Sequence, residues 1–227
     1  VTVAIADGVS TSVDPHKASA AAVRAAVQVL VGAANPDDEL LDMAVTEASA
    51  AVADVTDPAF LDGDGNAHRG VSVPACTLVA AHVLGAQITV VSVGDSRAYW
   101  IPEQGDAEQL SVEDSWAAAA ILGGAPPDVV YADRRSHQIT AWIGIDAGPL
   151  SPHITRRAVT GPGTVIICSD GLWTYLPNLL EFAELVRRHL AAAGRVALNA
   201  ARSLTEFARS AGGHDNITVA VLTIPGR

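Results

Sequence analysis

Two pairs of helical segments bracket a block of short apolar runs, and this order constrains the fold more than any other feature of the chain. Lys17 to Val31 is Ala-rich and free of Gly and Pro, so it reads as a helix. Asp38 to Val55 reads as a second, and Asn35-Pro36-Asp37 between them supplies stop and cap signals. Leu179 to Ala192 and Arg195 to Ser210 form a later pair, split at Gly194. Apolar runs at 75–83, 87–93 and 97–101 lie between the pairs, spaced as an antiparallel meander would be. Further strands are expected at the start of Val1–Ser10, at Gly163–Cys168 and at Asn216–Ile224, while Gln138–Gly144 reads as strand or loop. Residues 103–138 are expected to be irregular, with GGAPPD (123–128) as a breaker cluster. Strands and helices segregate instead of alternating, which predicts an α+β domain with mainly antiparallel sheet. With no repeat, low-complexity tract or linker, residues 1–227 read as one domain.

Composition limits the functions open to such a domain. Apolar residues make up 49%, enough for a sizeable core, and charged residues only 17%, too few for a disordered chain. A formal charge of −11 argues against broad nucleic-acid binding, which needs basic surface to replace counterions, and against adhesion to an anionic membrane. No segment reads as a signal peptide. Pro74 to Val93 is the nearest thing to a membrane span, but its Gly-Ala-Gln centre (85–87) reads as a hairpin turn. The two cysteines, Cys76 and Cys168, sit inside apolar runs without CxxC spacing. They are expected to be buried free thiols in a reducing cytoplasm. Asp62-Gly63-Asp64-Gly65-Asn66 resembles the start of a calcium loop but lacks the remaining ligands, so a solvated turn is expected.

The chemistry resides in how the apolar runs end. VTVAIADGVS breaks at Asp7-Gly8, ITVVSVGDSRAYW at Gly94-Asp95-Ser96, and VIICSDGLWTYLP at Ser169-Asp170-Gly171, while Asp215-Asn216 opens the last run in GGHDNITV. One Asp-Gly after a strand is an ordinary turn, because Asp accepts local backbone hydrogen bonds and Gly takes positive φ. Four acids at four strand ends suggest a shared site, since strand ends are stiff mounts that can converge. Hard cations such as Mg²⁺ and Mn²⁺ prefer such oxygen donors. Two ions bridged by an acid could share a water, lower its pKa and neutralise phosphoryl charge.

In this order, IADGVS, SVGDSRAYW, VIICSDGLW and GGHDNITVAVL resemble motifs of the metal-dependent protein phosphatase family, the type 2C group of serine/threonine phosphatases. SVPACTLVAA resembles the family's Gly-Thr-Thr strand, QLSVEDS its Leu-Thr-x-Asp-His segment, and HQITAWIG stands where a His-Pro, Arg-Asn, Leu-Gly stretch falls. The resemblance spans Asp7 to Ile224. It implies two packed antiparallel sheets flanked by a helix pair on each side, a four-layer αββα sandwich. It implies that Asp7 bridges two Mg²⁺ or Mn²⁺ ions and that the Gly8 carbonyl binds one of them. Asp170 and Asp215 would complete the ligands, and Asn216 would steady Asp215. A third, weaker ion of the bacterial forms would take Asp95 together with Asp170. A metal-bridged water would attack phosphorus in one in-line step, without a phosphoenzyme. Phosphoserine and phosphothreonine on proteins would be the substrates, and a cognate Ser/Thr kinase a partner in signalling.

Several positions depart from the family pattern. Thr174 stands where the family often has Asp, which weakens the third-ion assignment. Val9-Ser10-Thr11 follows Asp7-Gly8, so the general-acid His adjoining that pair is missing, and His16, His137 and His214 are the candidates to replace it. Six residues precede Asp7, and the family's upstream strand with its acid and phosphate-binding Arg has no counterpart, so either the first N-terminal strand lies outside this sequence or the catalytic apparatus is reduced. Residues 115–137 would form a flap beside the site, with Arg134-Arg135 as its basic pair. A non-catalytic phosphatase fold that regulates a partner is the alternative these departures favour. Against it, a chain with no metal to hold has no physical need to cluster four acids. IADGV also resembles the start of a haloacid dehalogenase phosphatase, but that chemistry needs a nucleophilic Asp where Ile5 stands.

Overall fold

The computed structural model describes residues 1–225. Among these residues, ten strands and seven α-helices are arranged with a helix pair on either side of the central strands. Strand β1 (Thr2–Ile5) leads into α1 (Pro15–Leu30) and α2 (Asp38–Asp54). A meander follows: β2 (Ala75–Cys76), β3 (Leu78–Leu84), β4 (Gln87–Val93), β5 (Arg97–Pro102) and β6 (Glu108–Gln109). Two short helices, α3 (Trp116–Leu122) and α4 (Pro127–Tyr131), precede β7 (Ile143–Gly144), β8 (His153–Ala158) and β9 (Gly163–Cys168). The chain ends with α5 (Asp170–Trp173), α6 (Leu179–Ala192), α7 (Ala197–Ala211) and β10 (Val219–Ile224).

One four-stranded sheet has the order β1-β3-β4-β8, a second the order β10-β9-β5-β6, and β2 pairs with β7 alone. All pairings in them are antiparallel. Successive side chains of a strand point to opposite faces, and here both faces are covered. In β3, Leu78 and Ala80 join α1 and α2 in one core, while Val79 and Ala81 join the second sheet in another. In β9, Val165 and Ile167 face the first sheet and Ile166 and Cys168 face α6 and α7. Three apolar layers therefore separate four layers of structure. The helices show the matching stripes: Ala18, Ala22, Ala26 and Leu30 on α1 recur every fourth residue and pack in the first core.

The expected sandwich is present, with corrections at its margins. Residues 103–138 are not wholly irregular: they hold β6, α3 and α4. The Ser115 hydroxyl caps α3 by accepting from the Ala118 amide at 3.0 Å. Strand β8 was not foreseen. Its HITRRA sequence carries no apolar alternation because it is a sheet edge, half exposed, paired only with β4. The last strand starts at Val219, three residues later than expected, and Gln138–Gly144 contributes only β7. The Asp62 segment is a turn, in which Asp62 Oδ1 accepts from the Asp64 and Asn66 amides at 3.0 and 2.9 Å. Both cysteines are buried and free. Among the described residues no helix is long and apolar enough to cross a membrane.

Strand register sets the positions of the acids. Ile5 pairs with Val79, and Leu78 with Val93, so the end of β1 and the end of β4 meet at the start of β3. Cys168 pairs with both Arg97 and Val219, so the end of β9 lies between the starts of β5 and β10. Asp7, Asp95, Asp170 and Asp215 are thereby delivered to one end of the sandwich.

Candidate metal centre and active-site cleft

At that end a cleft of about 570 Å³ opens, and all four acids line it. Asp7 and Gly8 follow β1. Gly8 is bridged to Cys76, and a Cβ there would sit 2.5 Å from Pro15, so only glycine lets α1 start so close. The Asp7 amide donates to Thr77 Oγ1 at 3.1 Å and the Thr77 amide donates to the Asp7 carbonyl at 2.8 Å. Thr77 Oγ1 also meets Ser96 Oγ at 2.8 Å, tying the Asp7 segment to the loop that carries Asp95. That loop is held from the other side by Asp114. Its carboxylate accepts from the Gly94 amide at 2.9 Å and contacts His153 Nε2 at 2.8 Å.

Asp170 and Asp215 are joined by Ser169. Its hydroxyl donates to the Asn216 carbonyl and accepts from the Thr218 amide, both at 3.1 Å. Asn216 steadies Asp215 through its backbone: its amide donates to Asp215 Oδ1 at 2.7 Å. Thr174 caps the turn below Asp170 by donating to the Asp170 carbonyl at 2.7 Å. Under this platform Arg97 and Glu113 form a buried ion pair, 3% and 5% exposed. The Arg97 guanidinium stacks 3.5 Å from the Trp173 ring, and Trp173 Nε1 donates to the Asp95 carbonyl at 3.0 Å.

The carboxylates repel one another in a partly buried setting, with Asp95 buried, Asp7 and Asp170 half-buried and Asp215 exposed. Burial, contact with the Asp170 carboxyl and the charges around it push Asp7 up to about 8. Burial raises Asp170 too, and Asp95 is pushed up to about 7 by burial and by the Asp170 charge. Asp170 Oδ1 is buried without a hydrogen-bond partner. A buried carboxylate oxygen with no donor is costly unless a cation meets it. The residues therefore fit an oxygen-ligated divalent ion. Among the described residues, no three His, Cys, Asp or Glu side chains converge tightly enough to hold one ion by themselves. Mg²⁺-like ions keep several waters and take only one or two carboxylates from the protein.

Of the three histidines considered as replacements for the missing acid, only His137 lines the cleft, and its charge acts on Asp170. His16 opens α1, and His214 lies in the turn before Asp215, its amide donating to the Tyr175 hydroxyl at 3.2 Å. Arg135 of the expected flap is paired with Asp133 and stacked on Trp116, leaving Arg134 exposed. Thr77, Ser169 and Asp114 were not singled out from sequence. Each nevertheless lay inside a segment that resembled a family motif: Thr77 in SVPACTLVAA, Asp114 in QLSVEDS and Ser169 in VIICSDGLW.

The family model described as protein phosphatase 2C matches residues 1–208. The chain belongs to the protein phosphatase 2C family. Among its 2C relatives is the serine/threonine protein phosphatase PstP of Mycobacterium tuberculosis, 26% identical over 152 residues. That match covers 65% of this chain and 27% of PstP. The curated relatives it matches are covered over 27% to 54% of their own length. The crystal structure of the PPM Ser-Thr phosphatase MsPP from Mycobacterium smegmatis, in complex with cacodylate, is 28% identical with a TM-score of 0.76. It is matched over 100% of this chain and 88% of that one. The catalytic domain of PstP in complex with two manganese ions gives 22% identity and a TM-score of 0.74, over 98% and 87% of the two chains. The 2C sandwich is thus the fold in both comparisons.

Proposed function

We propose that this chain is a metal-dependent serine/threonine protein phosphatase that hydrolyses phosphoserine and phosphothreonine on proteins. The observation that carries the reading is the Asp7–Asp170 pair, with the unpartnered Asp170 oxygen beside it. Two half-buried carboxyls in contact oppose each other's ionisation, and a cation between them relieves that repulsion. Asp7, the Gly8 carbonyl, Asp170 and Asp215 would hold two Mn²⁺ or Mg²⁺ ions, and Asp95 with Asp170 a third. The manganese-bound relative supports two ions. Bound there, the ions supply Lewis-acid neutralisation of phosphoryl charge and a water of lowered pKa.

The protein's own groups do the rest. Thr77 fixes the backbone of Asp7, and Ser169 ties the Asp170 turn to the Asn216 segment that carries Asp215, so the carboxylates are held in place as ligands. His137 stands in the cleft wall as the candidate proton donor to the leaving alkoxide. Cys76 and Cys168 are excluded as nucleophiles, because burial pushes both thiols up to about 12. We read the attack as direct, by water, in line and without a phosphoenzyme, and no cysteine stands ready to serve as an alternative nucleophile. Free buried thiols agree with a reducing cytoplasm, where a cognate Ser/Thr kinase would create the substrates.

The test is p-nitrophenyl phosphate hydrolysis with Mn²⁺ added or chelated, comparing wild type with Asp170→Asn. Metal-dependent turnover lost in the variant is expected. A second reading, a regulatory module without catalysis, is favoured by one observation: among the described residues no Lys or Arg lines the cleft to grip a phosphate. Absence of turnover with Mn²⁺ binding intact by calorimetry would select it.

A further inference from the structure

We propose that Trp142 and Asp146 form a subsite for the cationic side chain of an Arg or Lys neighbouring the phosphorylated residue. The proposal rests on the phosphatase reading and names the class of phosphoprotein the cleft prefers. The cleft wall holds five aspartates, one histidine and, among the described residues, neither Lys nor Arg. Four of the aspartates are the candidate metal ligands. The fifth, Asp146, stands apart on the wall and takes no part in them.

Asp146 is exposed on the cleft wall but anchored there. Trp142 Nε1 donates to its Oδ1 at 2.9 Å. A Cβ on Gly144 would lie 3.0 Å from the same oxygen, so the carboxyl is folded back over β7. Gly144 pairs with Ala75, and Cys76 pairs with Ile143 on one side and bridges to Gly8 on the other. The Asp146 wall is therefore two strands away from the proposed metal ligand Gly8, within reach of residues flanking a bound phosphoresidue.

The same chain shows what such an indole and carboxylate take when complete. On the cleft wall, Trp116 carries the Arg135 guanidinium 4.1 Å from its ring, and Asp133 holds that guanidinium by a bond of 2.8 Å. Trp142 and Asp146 repeat the indole and the carboxylate without the cation. Among the described residues no Lys or Arg stacks on Trp142 and none pairs with Asp146. Guanidinium over indole, backed by a carboxylate, is a favourable arrangement for a ligand cation.

The experiment compares phosphothreonine peptides that differ only in Arg or Gln at each position near the phosphoresidue, with Mn²⁺ present. The expected wild-type kcat/KM is about three- to tenfold higher for the best Arg peptide at low salt, shrinking as salt rises. Within Asp146→Asn and within Trp142→Leu, the Arg-to-Gln ratio is expected to fall to near one. Because both peptides meet the same enzyme, changes in folding or metal loading cancel from that ratio. A wild-type ratio of one at every position, or a ratio retained in both variants, overturns the subsite. If the wild type does not hydrolyse p-nitrophenyl phosphate with Mn²⁺, the phosphatase reading fails separately. The subsite is then read from binding by tryptophan fluorescence: tighter Arg-peptide binding lost in Asp146→Asn supports it, and equal binding sinks it.

Discussion

Thr77 grips Asp7 from both directions, its amide donating to the Asp7 carbonyl at 2.8 Å and its hydroxyl accepting from the Asp7 amide at 3.1 Å. The same hydroxyl meets Ser96. Replacing it by the isosteric Val leaves the Asp7 amide and Ser96 Oγ without that partner. Thr77→Val is expected to lose about 1–3 kcal/mol of stability and to weaken Mn²⁺ binding, whereas Thr77→Ser restores most of both. Urea unfolding and calorimetric Mn²⁺ titration check this. Unchanged metal affinity in Thr77→Val would show that Thr77 serves packing alone.

The metal-free protein is expected to become less stable as pH rises from about 5 to 8.5. Asp7 is raised from 3.8 when unfolded to about 8 when folded. Between those values the folded state binds more protons, so stability is present at low pH and is lost as pH climbs through the folded pKa. The loss is on the order of a few kcal/mol. His82 and His189, both lowered by burial, act in the opposite sense below about pH 6.5. The diagnostic is therefore the difference between wild type and Asp7→Asn in chelator, followed by thermal melting across the window. Wild type is expected to lose stability relative to the variant as pH rises, and saturating Mn²⁺ to abolish that trend. Parallel pH profiles in chelator would exclude a shared Asp7–Asp170 proton.

Much of this arrangement was legible before the structure, for local reasons. The helix pairs announced themselves by unbroken Ala-rich runs, and the core strands by apolar runs ending in Asp-Gly. β9 is buried on both faces, so its GTVIIC run needed no alternation to be recognised. β8 was missed because edge strands carry polar residues that resemble loop. The clamps were invisible for another reason. Asp114 meets His153 across 39 residues, and Ser169 meets Asn216 across 47, and no periodicity encodes such contacts. Trp142 and Asp146, four residues apart, lie in a non-helical stretch where that spacing has no regular meaning.

Gly171 sets the approach of Asp170 to Asp215. A Cβ there would lie 2.2 Å from the Asn216 carbonyl oxygen, a backbone atom with no rotamer to yield. Gly171→Ala must therefore push the end of β9 away from the start of β10. A stability loss of about 1–3 kcal/mol is expected from overpacking, with a larger proportional loss of Mn²⁺ affinity. Gly148→Ala is the control, since nothing lies within 4 Å of its Cβ position. Equal metal affinity in the two variants would break the link between this contact and the site.

Arg97 and Glu113 give the site its foundation, and their burial decides what mutation does. Arg97 Nε donates to Glu113 Oε2 at 2.8 Å, with the guanidinium stacked on Trp173 and both side chains nearly inaccessible. Taking charges out of water is costly, so the pair adds little net stability, yet a lone survivor is severe. Glu113→Ala is expected to cost about 3–5 kcal/mol by stranding the Arg97 cation. It also removes the acceptor for the Ser115 hydroxyl at the cap of α3. The double variant Arg97→Met with Glu113→Leu is expected to recover most of that stability, because no charge is left buried. It should still bind Mn²⁺ at Asp7 and Asp170, while the Asp95 loop loses the Trp173 brace that Arg97 holds flat. Urea melts of the single and double variants form the cycle. A double variant no more stable than Glu113→Ala would show that the ion pair, and not the stranded charge, carries the stability.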